Sequence, residues 1–324
     1  MPTESNLFEA IAGQAAGIEQ NIGRVISGKG RVIRLAVTAF LAHGHLLIED
    51  VPGVGKTMLA KALAASIGAT VRRIQFTPDL LPSDVTGAPI FNQQTREFDF
   101  EPGPVFANIV IGDEINRASP RTQSALLECM EERQVTVEGT TYALDNPFLV
   151  VATQNPIDME GTHALLEAQR DRFMMRISMG YPDEAAEQDM VKARAHGEPI
   201  EQISPVVTLK TARDMIEGCQ QVHVADAITA YAVAITRASR SHQALRLGAS
   251  PRAAVHLVAA GRAYAAMHGR GYVLPDDIQY LAEPVLAHRL MAISPASGLE
   301  AAAQLRAIVR GVVESVPVPV PIRG

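Results

Sequence analysis

The chain has no tryptophan, and its nine phenylalanines and six tyrosines make up only 5% of it. Proteins that hold single-stranded nucleic acid stack bases on aromatic rings, so that role has little to build on here. There are two cysteines, Cys129 and Cys219, with no paired spacing. They cannot make a four-ligand zinc site without the scattered histidines, and they read as reduced, buried thiols. His43 and His45 lie one residue apart and read as packing or solvent-facing residues rather than ligands. No apolar run approaches the ~20 residues of a membrane helix. The first residues lack the basic start and apolar core of a signal peptide, so the expected location is the cytoplasm. Positive charge is short at the front: residues 1–190 carry 15 basic against 25 acidic side chains, whereas residues 191–324 carry 14 against 10. That balance argues against an extended phosphate-backbone footprint in the front half.

What is present is ample apolar material. With 47% hydrophobic and 20% charged residues over 324 positions, the chain can bury a core and has room for two domains. Residues 5–43 read mainly as helix, interrupted near Gly28-Lys29-Gly30, with Val32, Leu35, Ala36 and Ala39 at helical spacing. Residues 46–49 read as a short buried strand, followed by a glycine-rich turn and a helix to about Ile67. Further strands are expected at 71–76, 108–112 and 148–153, and a helix at 120–132. Between Thr77 and Phe106 the chain is punctuated by Pro78, Pro82, Gly87, Pro89, Pro102 and Gly103, which predicts an insertion with its own turns and no further helix. Residues 134–144 read as a β-hairpin turning at Glu138-Gly139.

After about residue 190 strand signals fade, and helices are expected at 208–221, 226–239, 250–268 and 275–290. Ser250-Pro251 supplies a cap and a first helical position. The pattern implies an α/β fold. A parallel sheet covered on both faces occupies residues 1–190, and an all-α domain occupies residues 191–324. The alternating Val-Pro tail at 316–321 reads as extended backbone.

Chemistry concentrates in five places. Val51-Pro52-Gly53-Val54-Gly55-Lys56-Thr57 lies between the first strand and its helix. Such a loop turns its N–H groups inward at the positive end of a helix and holds phosphates. The stretch from Pro52 to Met58 is the expected cradle; Lys56 reaches the β- and γ-phosphates, and Thr57 offers its hydroxyl to Mg²⁺. The full motif has a glycine five residues before Gly55, where this chain has Asp50. The strand at 108–112 runs into Asp113-Glu114. Asp113 suits the Mg²⁺ shell, and Glu114 suits polarisation of an attacking water.

Asn155, in Ala152-Thr153-Gln154-Asn155-Pro156, follows the next strand and can reach between that water and the γ-phosphate. In Glu167-Ala168-Gln169-Arg170-Asp171-Arg172-Phe173 two arginines flank an acid, an arrangement that suits a subunit interface supplying a cation in trans. Arg252 stands in the first turn of a helix, an odd place for a cation unless it serves an anion.

Together, in this order and at these separations, the residues resemble the MoxR family of AAA+ ATPases over about residues 10–310. The most specific signatures are Asp113-Glu114-Ile115-Asn116-Arg117-Ala118, Ala152-Thr153-Gln154-Asn155-Pro156 and Ala168-Gln169-x-Asp171-Arg172-Phe173. The resemblance implies ATP and Mg²⁺ as cofactors. It makes Lys56 and Thr57 part of Walker A, Asp113 and Glu114 Walker B, Asn155 sensor 1 and Arg252 sensor 2. Arg172 is its leading arginine finger, with Arg117 and Arg170 as weaker candidates. It assigns 77–106 to a helix-2 insert, 134–144 to a pre-sensor-1 hairpin, and Val25 and Ile26 to the adenine pocket. It further implies a homo-oligomeric ring, usually a hexamer, that remodels or matures a protein client beside a partner with a von Willebrand factor A domain. On these expectations Arg252 closes the helical lid onto the phosphates. Two other readings share the same residues: a nucleic-acid motor, which the charge and the missing tryptophan disfavour, and a slow nucleotide switch used as a scaffold.

Overall fold

The computed structural model describes residues 4–155, 163–194, 197–294, 296 and 299–319. Pro156, and residues 320 and 321 of the expected extended tail, lie outside them. In chain order, α1 (Glu4–Gly23) and α2 (Gly30–Leu41) lead into β1 (Leu46–Glu49), α3 (Lys56–Ser66) and β2 (Val71–Gln75). A short α4 (Pro82–Thr86) and the hairpin of β3 (Gly87–Asn92) and β4 (Glu97–Pro102) precede β5 (Ile109–Asp113) and α5 (Pro120–Glu132). A second hairpin, β6 (Gln134–Val137) and β7 (Thr140–Ala143), is followed by β8 (Leu149–Gln154), the single turn α6 (Glu167–Arg170), β9 (Met175–Ile177) and α7 (Glu184–Arg194). The remainder comprises α8 (Leu209–Gln220), α9 (Asp226–Arg240), β10 (Leu245–Leu247), α10 (Pro251–Met267), α11 (Pro275–Leu286), β11 (Met291–Ala292) and α12 (Leu299–Glu314).

The central sheet has the order β2-β5-β8-β1-β9, and every pair in it is parallel. Strands buried on both faces need continuous apolar sequence. That is why Ile109-Val110-Ile111 and Leu149-Val150-Val151 run through the middle, while β2, with Arg72, Arg73 and Gln75, is left at an edge with only Ile74 buried. Period-two alternation divides these strands between two cores. Ile48, Ile109, Ile111, Leu149, Val151 and Ile177 face the larger one, shared with α1, α2, α3 and the C-terminal helices. Leu47, Val110, Val150 and Ala152 face the smaller, closed by Leu126 and Leu127 of α5 with Val85 and Val105 of the insertion. α5 starts where Ser119 accepts a hydrogen bond from the Thr122 N–H at 3.3 Å, with Pro120 at the first helical position. α1 packs against both α3 and α10, so the first helix ties the sheet to the helical part.

The insertion does contain a helical turn. Pro82 opens α4, and the Asp84 carboxylate accepts the Leu81 N–H at 2.8 Å. Proline at a first helical position starts a helix rather than breaking it, which corrects the expectation of turns alone. The helical part also contains a two-stranded sheet of β10 and β11, three and two residues long, too short to leave a periodic signal. α7 and α12 were not expected from the sequence.

Candidate phosphate-binding site

Parallel strands end at the same edge, and the loops after β1, β5 and β8 therefore meet there. After β1 the backbone turns through Gly53 at φ 85° and Gly55 at φ 92°, left-handed values that side chains with a Cβ rarely adopt. Gly55 caps α3, so the free N–H groups of the first helical turn open on the loop. Asp50 is buried and braces the turn. Its carboxylate accepts the Val51 N–H at 2.9 Å, the Gly180 N–H at 2.6 Å and the Ser178 hydroxyl at 2.9 Å. Its carbonyl accepts Lys56 Nζ at 2.6 Å. A glycine at this position makes none of the three carboxylate contacts. Burial pulls the Lys56 ammonium below its ordinary pKa, against the opposing pull of Asp50, Asp113 and Glu114.

At the end of β5 the buried Asp113 carboxylate receives the Thr57 hydroxyl at 3.2–3.3 Å, the Thr153 hydroxyl at 3.2 Å and Arg73 Nε at 2.5 Å. Thr57 and Asp113 thus present adjacent hard oxygens, the donor set that suits Mg²⁺ bound through one or two protein groups. Glu114 follows at φ 58°, ψ 48°. A left-handed glutamate is held there only because its surroundings over-determine it. Its N–H donates to Thr153 Oγ1 at 3.0 Å, and its carboxylate accepts Gln75 Nε2 at 3.1 Å and an Arg117 N–H at 2.8 Å. β8 lies between β5 and β1, and Asn155, one residue past its end, stands at the same edge between Asp113 and the loop.

Val25 and Ile26 follow α1, and a side chain on Gly55 would meet Ile26 Cδ1 at 3.7 Å and Met179 Cε at 3.9 Å. Met179, buried just beyond β9, therefore packs beside Ile26 against the loop. Val54 and Met58 are half-buried against the same core, whereas Pro52 and Gly53 are exposed. Sequence reasoning missed Met179, Thr153, Arg73 and Gln75. An apolar residue two positions after β9 was the signal for the first; the others depend on strand register.

The remaining arginines separate. Arg117 is at the phosphate edge, on Glu114. Arg170 is mostly buried beside a cavity of about 130 Å³ that it shares with Arg176, Glu49 and His288; burial lowers its pKa. Arg172 pairs with Glu131 at 3.2 Å, and Arg252 pairs with the same Glu131 and lies 3.8 Å from Asp171. β9 is parallel to β1 with Met175 beside Leu46, so residues just before Met175 lie where β1 begins, opposite the end where the phosphate loop follows it. The expectation that Arg252 brings the lid onto its own chain's phosphates is therefore corrected. Ser250 donates to both Asp171 oxygens at 2.9 Å, which anchors the start of α10 at the far edge of the sheet.

Residues 45–175 match an ATPase family associated with various cellular activities, and residues 237–309 match an AAA lid domain. An uncharacterised protein, YeaC, of Bacillus subtilis is 51% identical over 93% of each chain. Chaperone MoxR1 of Mycobacterium tuberculosis is 38% identical over 96% of this chain and 85% of its own. The crystal structure of a candidate ATPase from Cytophaga hutchinsonii superposes with a TM-score of 0.87 at 35% identity, covering 97% and 98% of the two chains.

Proposed function

Because the chain belongs to the MoxR family of AAA+ ATPases, we propose that it hydrolyses Mg·ATP within a ring of its own subunits and uses the cycle to remodel or mature a protein client. The observation that carries this reading is the meeting of Lys56, Thr57, Asp113, Glu114 and Asn155 at one sheet edge. In it, residues 1–190 form the nucleotide-binding core and residues 191–324 the lid. The N–H groups from Gly53 to Met58 and the Lys56 ammonium hold the triphosphate, and the apolar side chains of Val25, Ile26 and Met179 take the base. Thr57 and Asp113 hold Mg²⁺, which neutralises phosphate charge when bound. Glu114 accepts the proton of the attacking water, and Asn155 orients that water.

Arg172 and Arg252 share Glu131 at the opposite edge, and this supports a role for both on the neighbouring subunit's nucleotide, where an arginine meets the charge of the transferring phosphoryl group. A homo-oligomer, most simply a hexamer, a partner with a von Willebrand factor A domain and a cytoplasmic setting complete the proposal by family likeness. No helix among the described residues is long and apolar enough to cross a membrane. The test is phosphate release by the purified chain with ATP and Mg²⁺ across a concentration series. Turnover per subunit should rise as the chain assembles; a rate independent of concentration and assembly would refute the shared site.

A further inference from the structure

The joint between lid and core is built on a buried charge. Arg289 closes the 3-10 turn Ala287–Arg289 after α11 and is 4% exposed. Its Nε donates to Asp171 Oδ1 at 2.9 Å, and one terminal nitrogen donates to the carbonyls of Asp171 at 3.1 Å and Phe173 at 2.6 Å. The other donates to the Met174 carbonyl at 3.4 Å and to the Val285 carbonyl. The guanidinium also meets His256 Nδ1. One side chain of the lid thus grips the backbone of the core from Asp171 to Met174. Asp171 in turn receives the Ser250 hydroxyl on both oxygens and has Arg252 at 3.8 Å, and the next residue in the chain is Arg172. A buried ion pair is a weak source of stability, because desolvation offsets the attraction. What such a fork supplies well is fixed geometry.

We propose that Arg289 is a positioning residue for the trans step: through Asp171 it sets Arg172 on the core and Arg252 on the lid as one two-arginine unit facing the next subunit's phosphates. The inference rests on the trans reading of Arg172 and Arg252 given above. Lysine at 289 keeps the charge but cannot serve the fork of acceptors.

The experiment compares Arg289→Lys and Ser250→Ala, each in the wild-type chain and in an Arg172→Ala/Arg252→Ala chain. Steady-state ATP hydrolysis is measured where sedimentation shows assembled protein, with nucleotide affinity from a fluorescent ATP analogue. Arg289→Lys should lower kcat about 10–100-fold, the scale of a misplaced catalytic group, with nucleotide affinity changed less than about twofold because the Lys56 edge is untouched. Ser250→Ala should lower kcat in the same direction by less. In the double-alanine background neither substitution should lower kcat further, since a residue that acts through another shows no separate effect once that other is gone. Equal proportional losses in both backgrounds, or a folded Arg289→Lys protein with unchanged kcat, would overturn the inference. If Arg289→Lys does not fold, Ser250→Ala decides, and an unchanged kcat there sinks it. Full turnover by the double-alanine chain would instead refute the trans reading itself, a separate result read before Arg289 is altered.

Discussion

Two carboxylates do the most to shape the site, by different means. Asp50 replaces a glycine of the full phosphate-loop motif and uses its side chain to tie the loop to Ser178 and Gly180 beyond β9. Asp50→Gly would restore the fuller spelling yet leave the buried Val51 N–H without its carboxylate partner, at a cost of about 1–3 kcal/mol for such a group, and would release the half-buried Gly180 N–H as well. Thermal unfolding should show the loss, and nucleotide affinity should fall with it; unchanged values on both counts would remove Asp50 from the site. Glu114 has its backbone in the left-handed region and its carboxylate held by Gln75 and Arg117. Glu114→Gln preserves shape and removes the base. Binding of a fluorescent ATP analogue should persist while phosphate release falls by about 10²-fold or more. Retained turnover would take the proton-accepting role away from Glu114.

At the scale of elements, α5 connects the smaller core to the far edge of the sheet, because its last turn carries Glu131, the shared partner of Arg172 and Arg252. Its start depends on Ser119, and Ser119→Ala should cost about 1 kcal/mol of unfolding free energy, as loss of a side-chain cap does; denaturant titration reads it directly. The helices also hide both thiols. Burial pushes Cys129 and Cys219 up to about 12, so neither is a thiolate near neutrality. A chromogenic disulfide reagent at pH 8 should label neither in the native protein and both after denaturation. Rapid native labelling would contradict the packing of α5 and α8.

At the scale of the molecule, charge buried between elements makes stability depend on pH. His45 sits between β1 and β8 as a neutral ring, accepting the Val150 N–H at 3.0 Å on Nδ1 while Nε2 meets the Met130 carbonyl at 3.0 Å. Burial lowers it to about 3, and lowers His256, beside Arg289 and Arg252, to about 3 as well. The unfolded chain takes up these protons near the ordinary 6.5 and the folded chain does not, so folding loses stability as pH falls below about 6.5 and continues to lose it down to about 3. Each such histidine contributes about 1.4 kcal/mol per pH unit within that window. Thermal unfolding between pH 8 and 5 should show Tm nearly level at the upper end and falling at the lower, and His45→Gln should flatten the fall.

What the residues determine locally was legible in the chain. Apolar runs of four to six residues must become buried strands, Gly53 and Gly55 mark backbone that turns left-handed, and helices start at Pro120 and Pro251 where expected, although only Ser119 caps its helix with its side chain; the Ser250 hydroxyl, expected to cap α10, goes to Asp171 instead. That the phosphate loop, Asp113, Glu114 and Asn155 share one sheet edge was legible because each ends or follows a strand, and parallel strands must end together. Arg252 could not, since a position at a helix start says nothing about which sheet edge that helix meets. That was decided by Asp171, Ser250 and Arg289, residues 79 and 118 positions apart from the first in sequence. Likewise Thr153, Gln75 and Met179 join the site only through strand register and the return of the chain beyond β9. Sequence specifies what is local because propensity, capping and hydrophobic period act within a few residues; contacts between distant elements are fixed only when burial forces each charge to find its partner.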